Sequence, residues 1–172
     1  MAVIVFAAAV AACASSGAQP RPRPFPGAEL PPISPPEPPP LLADRPVEAT
    51  ALVTAMLTTA MELRGTPYSY GGSDPSGFDC SGVVQWVFAQ HGTRLPREVR
   101  DQFDFGELID RDEVRPGDLV FFQTVSRGAS HVGIAMGNDE FIHAPSSRGV
   151  VRIEKYTSGY WDQRWVGARR VS

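Results

Sequence analysis

The stretch Phe78-Asp79-Cys80-Ser81-Gly82-Val83-Val84-Gln85-Trp86-Val87-Phe88 decides the fold. Asp79 stands where a helix N-cap belongs, and Val83, Val84, Val87 and Phe88 recur at the spacing of one buried helical face that ends at Gly92. Cys80 is therefore expected as the first residue of a helix, where free backbone N–H groups and the positive end of the helix dipole favour thiolate over thiol. Before this helix lies Thr66 to Phe78, too rich in glycine and proline for regular structure and placed to line a site. Earlier still, Asp44-Arg45-Pro46 offers a cap and an early proline. Val47, Ala51, Leu52, Ala55, Met56, Ala60 and Leu63 follow at helical spacing, with Gly65 and Pro67 as the stop.

After Cys80, Pro96, Val99 and Phe103 suggest a short helix around Arg97–Phe105. Beyond Pro116-Gly117-Asp118 the pattern changes to short apolar runs broken by turns, which predicts strands at Leu119–Gln123, His131–Met136, Glu140–Ala144, Val150–Glu154 and Arg164–Arg169. Helices first and strands afterwards imply an α+β fold, with the helices packed on a C-terminal antiparallel sheet of about five to six strands.

A nucleophilic thiol needs a base, and the chain has three histidines. His91 ends the second helix, nearly three turns from Cys80, and reads as a solvated terminal residue. His131 opens one predicted strand and His143 lies in the next. If Gly137-Asn138-Asp139 forms a three-residue hairpin turn, Met136 faces Glu140, Gly133 faces His143, and both imidazoles share one face as diagonal neighbours. Such pairs lie roughly 7–8 Å apart at the backbone, and Gly133 leaves room for the rings to meet. A turn of even length would put them on opposite faces. In the favoured arrangement His131 takes the thiol proton and later protonates a leaving amine, while His143 fixes the tautomer of His131. The Cys80 backbone N–H and the Tyr68 hydroxyl are candidates to meet an oxyanion. The rival reading of Cys80, His131 and His143 as ligands of an open catalytic zinc lacks a fourth residue or a close ligand pair, so neither metal nor cofactor is expected.

The remainder of the 172 residues divides into two regimes. Of 17 prolines, 12 fall between Pro20 and Pro46. This segment favours polyproline II and reads as a spacer, with a docking motif for a proline-recognising module as the competing idea. Ahead of it, Val3 to Ala12 is wholly apolar but shorter than the roughly 20 residues of a membrane-crossing helix. It runs through Val10-Ala11-Ala12 into Cys13 and then Ser15-Ser16-Gly17. That resembles a bacterial lipoprotein signal, with cleavage before Cys13 and lipid on its sulfur. No Lys or Arg precedes the apolar run, so a start upstream of Met1 is an expectation too. The expected organisation is a signal peptide at 1–12, a lipidation site and tether at 13–46, and a catalytic domain at 47–172. Cys13 and Cys80 are the only cysteines. If Cys13 is acylated, Cys80 has no disulfide partner and is present for its reactivity. The net charge of −3 shows no basic excess, which argues against nucleic-acid binding.

Arg64-Gly65-Thr66-Pro67-Tyr68-Ser69-Tyr70-Gly71-Gly72, Phe78-Asp79-Cys80-Ser81-Gly82-Val83-Val84, Leu95-Pro96-Arg97, Gly117-Asp118-Leu119-Val120-Phe121-Phe122, His131-Val132-Gly133-Ile134 and Phe141-Ile142-His143-Ala144 together resemble, in order and spacing, the NlpC-type (NlpC and p-sixty) cell-wall cysteine peptidases. The resemblance spans about residues 62–170. It implies a papain-like fold, with Cys80 as nucleophile, His131 as base, His143 as third polar residue, and Tyr68, Asp79 and Ser81 lining the substrate site. It further implies an exported peptidoglycan endopeptidase that cuts stem-peptide bonds near D-glutamate and diaminopimelate. A monomer is expected, anchored by lipid to a membrane of the cell envelope and facing the periplasm. An inactive wall-binding lipoprotein, or an acyltransferase or amidase using the same nucleophile, stands as the alternative. Glu98 and Ala135 depart from residues common in the family, and Tyr160 to Arg169 resembles the family's last strand.

Overall fold

The computed structural model describes residues 45–146 and 149–172, so the expected signal peptide, Cys13 and nearly all of the tether lie outside the described residues. Helix α1 (Arg45–Glu62) forms where the spacing predicts it. Only its C-terminal half is anchored: Met56, Ala60 and the following Leu63 are buried, whereas Val47 and Leu52 face solvent. The expected apolar stripe is thus half as long as the sequence suggests. Thr54 and Thr58 fold their hydroxyls back onto the carbonyls one turn earlier, 2.8 and 2.9 Å away, which satisfies them without tertiary partners. Gly65, at φ +88°, ends the run, and its N–H donates to Val151 O.

The Gly/Pro-rich loop that follows is more regular than its composition implies. Strands β1 (Ser73–Asp74) and β2 (Gly77–Phe78) make a minimal hairpin. Asp74 holds its turn by accepting from the Ser76 N–H and hydroxyl. Helix α2 (Cys80–Gln90) begins at the expected residue, and Asp79 Oδ1 caps it by accepting from Gly82 N at 2.7 Å. Val83, Val84, Val87 and Phe88 form its buried face. Helix α3 (Val99–Phe103) is one short element, with Gln102 buried beneath it and bonded to the Ser81 and Pro96 carbonyls.

Six strands then build one antiparallel sheet in the order β3-β8-β4-β5-β6-β7. They are β3 (Glu107–Ile109), β4 (Leu119–Phe122), β5 (His131–Gly137), β6 (Glu140–His143), β7 (Arg152–Lys155) and β8 (Trp165–Arg170). Five match the expected strands. The extra β3 is a three-residue edge whose first two residues are exposed, so it carries no apolar alternation to read. The resemblance of Tyr160–Arg169 to a single strand is corrected: Gly159–Asp162 is a helical turn, α4, and β8 starts only at Trp165. Asp162 N donates to Ser158 O at 2.8 Å to close that turn, which carries the Trp161 indole onto the sheet.

Alternation along the central strands sorts side chains between two cores. Leu119, Phe121, Val132, Ile134 and Ile142 pack against α1 and α2 on one face. Val120, Phe122, Ala135, Phe141 and Ala168 gather on the other, under Tyr156 and Trp161. Both faces of β4 are buried, which explains its uninterrupted Leu-Val-Phe-Phe.

Candidate active site

His131 and His143 reach the same face of the sheet by two departures that cancel. The β5–β6 turn has two residues, Asn138 and Asp139, both at positive φ (53° and 62°), as a tight hairpin turn requires. Gly137 pairs with Glu140, but Ala135 pairs with Phe141 and Ile134 with Ile142, so Met136 is an extra residue in a bulge. The expected three-residue turn is thereby corrected to a two-residue turn plus one bulged residue. The register beyond it is the expected one. Gly133 lies against His143, and His131 Nε2 sits 2.8 Å from His143 Nδ1.

The pair is enclosed by aromatic rings. Trp161 stacks on His131 with centroids 5.1 Å apart and planes 24° from parallel. Phe141 stacks on His143 at 4.6 Å and 28°. Burial pulls both imidazoles below their ordinary value. Their mutual proximity lowers His131 further, while the Glu154 carboxylate opposes the trend on each ring. Both are held neutral, the form a base needs.

Cys80 sits on the helical side of the sheet, packed beside the core that contains Val132. Burial, followed by the Asp79 charge, pushes its thiol up to about 11, and the N–H groups of Val132, Ser81 and Cys80 pull it the other way. The helix terminus favours thiolate and burial opposes it, and burial is the larger influence on this thiol. The resting site pairs a neutral thiol with a neutral imidazole. Cys80 and His131 line one open cleft of about 870 Å³ together with Tyr68, Asp79, Ser81 and Arg97. Among the described hydrogen bonds His131 Nε2 is held by His143, and none joins His131 to the sulfur.

The sequence-predicted substrate residues are largely engaged with one another. Arg97 forks onto Asp79, NH2 to Oδ2 at 2.5 Å and NH1 to Oδ1 at 3.0 Å, and NH1 also donates to Ser81 Oγ at 2.7 Å. Gly71 N occupies Asp79 Oδ2 at 3.1 Å as well. Asp79 and Ser81 thus face the cleft, but their polar atoms shape its floor. Burial above all raises the Tyr68 hydroxyl, with the neighbouring Cys80 and Asp79 adding to it, which keeps it a donor. His91 stands apart as expected, with Nε2 2.9 Å from Thr59 Oγ1.

Sequence reasoning missed three contributors. Arg97 appeared only inside a motif, 18 positions from Asp79, with no local periodicity to connect them. Trp161 lies in a stretch that resembles a strand, yet it covers His131. Glu154 is the last residue of an expected strand, yet its Oε2 lies 3.5 Å from His143 Nε2. Among the described residues no group of three or more His, Cys, Asp or Glu side chains is arranged to hold a metal ion.

Comparison with known proteins places this arrangement. The chain is 47% identical over 109 residues to the probable endopeptidase NlpC of Escherichia coli, covering 62% of this chain and 70% of that protein. It is 41% identical over 116 residues to the murein DD-endopeptidase MepH of the same organism, covering 64% and 43%. It is 39% identical over 119 residues to the bifunctional muramidase/DL-endopeptidase CwlT of Bacillus subtilis, covering 67% and 36%. The chain thus spans well under two thirds of two of these relatives. Among solved structures, the NlpC/p60 domain of the peptidoglycan hydrolase SagA superposes with a TM-score of 0.62 at 32% identity, covering 69% of this chain and 98% of that one. A Staphylococcus aureus protein described as similar to lipoprotein, of the NLP/P60 family, gives 0.64 at 36%, covering 70% and 41%. The fold is papain-like, and the described residues form four α-helices with a six-stranded antiparallel sheet. The profile of the NlpC/P60 family matches residues 65–170, which contain every side chain of the cleft described above, and the chain belongs to that family.

Proposed function

We propose that this chain is a cysteine endopeptidase that hydrolyses amide bonds in the stem peptides of peptidoglycan, with Cys80 as nucleophile and His131 as base. The observation that carries the reading is the His131–His143 contact at 2.8 Å on the wall of the cleft that also holds Cys80. The relatives named as murein endopeptidases support the substrate class.

In this reading the thiol proton passes to His131 Nδ1 as the sulfur adds to the carbonyl carbon, so charge appears only when substrate is in place. The resulting oxyanion is met by the Cys80 backbone N–H and the Tyr68 hydroxyl. His131 then returns the proton to the departing amine, leaving a thioester on Cys80. Water, losing a proton to His131, releases the acid and restores the thiol. Asp79 and Ser81, braced by Arg97, contact the peptide on the acyl side, near D-glutamate and diaminopimelate. Acylation of Cys13 and the proline-rich tether hold the domain, as a monomer, at a membrane of the envelope facing the periplasm.

The test is digestion of purified muropeptides by the full chain and by Cys80→Ala, with products identified by mass spectrometry. New amino and carboxyl termini from the wild type alone are expected, and equal cleavage by both proteins overturns the reading. Metabolic labelling with a fatty-acid analogue, in wild type and Cys13→Ala, tests the anchor.

A further inference from the structure

The proposed chemistry uses the near nitrogens of both histidines and leaves the far one on His143 without a role. That atom, Nε2, is fully buried and has no hydrogen-bond partner of good geometry. Glu154 Oε2 lies 3.5 Å from it. Strands β6 and β7 bring this about: His143 pairs with Arg152 and Phe141 with Glu154, so Glu154 lies diagonally across from His143 on the same face.

We infer that Glu154 is a positioning residue that sets which nitrogens of His131 and His143 carry hydrogen, and so makes His131 able to accept the thiol proton. The inference rests on the cysteine-peptidase reading above for its catalytic consequence, but not for its structural content.

Two tautomeric arrangements satisfy the 2.8 Å contact, because a neutral imidazole has one donor and one acceptor nitrogen. In the first, His131 Nε2–H donates to His143 Nδ1. His131 then keeps a lone pair on Nδ1, its only nitrogen not already engaged, and His143 carries its proton on Nε2, facing Glu154. In the second, His143 Nδ1–H donates to His131 Nε2. His131 must then hold its proton on Nδ1 and has no lone pair left for the thiol, while His143 turns a bare lone pair toward the carboxylate. The second arrangement sets two acceptors against each other in a buried site. The first sets N–H against a carboxylate.

The carboxylate is itself immobilised. Arg152 donates Nε and NH2 to Oε1 at 2.7 and 2.6 Å. The Trp161 indole N–H donates to Oε2, the oxygen that faces His143. The His143 contact, together with the Trp161 and Arg152 donors, holds the Glu154 carboxyl down at about 2 against the effect of burial, so it is ionised and purely an acceptor at neutral pH. The stacking of Trp161 and Phe141 on the two rings removes ring rotation as an escape. Proton placement is the freedom that remains. Arg152 from β7 is ion-paired with this carboxylate, Lys155 lines the adjoining cavity, and α4 brings Trp161 and Tyr160, both uncharged, to that cavity. When His131 becomes charged during the reaction, the same carboxylate compensates it through His143, as an acidic residue behind a catalytic histidine does elsewhere.

The experiment uses the full chain labelled with nitrogen-15 in histidine, and long-range proton–nitrogen correlation spectra that distinguish protonated from bare ring nitrogens. In the wild type at neutral pH, Nε2 protonated and Nδ1 bare is expected for both His131 and His143. Glu154→Ala is expected to lose that arrangement for a substantial fraction of molecules. It should lower kcat on muropeptides about 10- to 100-fold while KM moves less than about 3-fold, and Glu154→Asp should recover part of the loss. A wild-type spectrum showing His143 protonated on Nδ1 overturns the inference, as does a folded Glu154→Ala with wild-type tautomers and wild-type kcat. Should the Ala variant fail to fold, Glu154→Leu, similar in bulk and without an acceptor oxygen, is judged by the same two measures. If the wild type cleaves no muropeptide, the spectra still report the tautomers, so failure of the proposed function is distinguishable from failure of this inference.

Discussion

A β-carbon placed on Gly133 would stand 3.1 Å from His143 Cβ, 2.6 Å from the Phe141 ring and 2.7 Å from Ile142 O. The glycine is what allows His143 to lean over β5 toward His131. Gly133→Ala should therefore cost about 1–3 kcal/mol of stability by overpacking a closed site. It should also reduce kcat by more than the loss of folded protein accounts for. Denaturant titration and turnover on the same preparation check both, and unchanged values in each would contradict the packing described for the pair.

Stability should fall on acidification from neutral pH. His131 and His143 have folded values below their ordinary 6.5, so the unfolded chain binds protons near that pH before the folded one does. Their contribution is complete above pH 6.5 and is lost as pH drops toward the folded values. Glu154, lowered from 4.5 to about 2, adds a loss of the same sign below pH 4.5. Melting temperature measured from pH 8 to pH 4 should decline steadily below 6.5. A constant value down to pH 5 would show that the rings are not held neutral by burial.

The pH dependence of kcat/KM should have no neutral maximum. A thiol pushed up to about 11 and an imidazole held down give a site whose competent form is the uncharged pair. Activity is then level between pH 6.5 and pH 9, provided the protein remains folded. A preformed thiolate–imidazolium pair would instead give a bell with its acid limb set by the thiol. Steady-state rates across that range distinguish the two.

Arg97→Lys should disturb the cleft floor without touching the histidines. A lysine cannot reproduce the fork onto Asp79 and the bond to Ser81, and each lost charge-assisted bond is worth about 1.5–3 kcal/mol before relaxation. With Asp79 less compensated, its charge should push the Cys80 thiol higher still. The midpoint of iodoacetamide labelling against pH should move upward relative to wild type, and a downward shift would reverse the role given to Asp79.

Much of this architecture is legible in the sequence, for identifiable reasons. Helix α2 carried its own cap and stripe, and the strands from Leu119 onward carried runs bounded by turns. The shared face of His131 and His143 was also reached from the sequence, although by a three-residue turn that does not exist. The bulge at Met136 supplies the residue that the two-residue turn omits. Glu154 was not legible, because its proximity to His143 depends on the β6–β7 register. That register pairs His143 with Arg152, a relation between two strands that the alternation within either one does not state. Arg97 meets Asp79 only through tertiary packing, and Trp161 was masked by aromatic residues that read equally well as strand. The exposed half of α1 shows the converse error, since apolar spacing alone does not guarantee a surface to pack against.

The two histidines are separated by 12 positions, and the bulged hairpin makes that count a constraint in its own right. Removing Met136 would take away the bulge and leave Gly133 against His143, whereas a single-residue deletion or insertion inside the paired stretch between Gly133 and His143 that no bulge absorbs would swing one imidazole through the sheet to the side occupied by α2. Substitutions can accumulate along this ribbon, but a change of length keeps both rings on one face only where the bulge or the turn absorbs it.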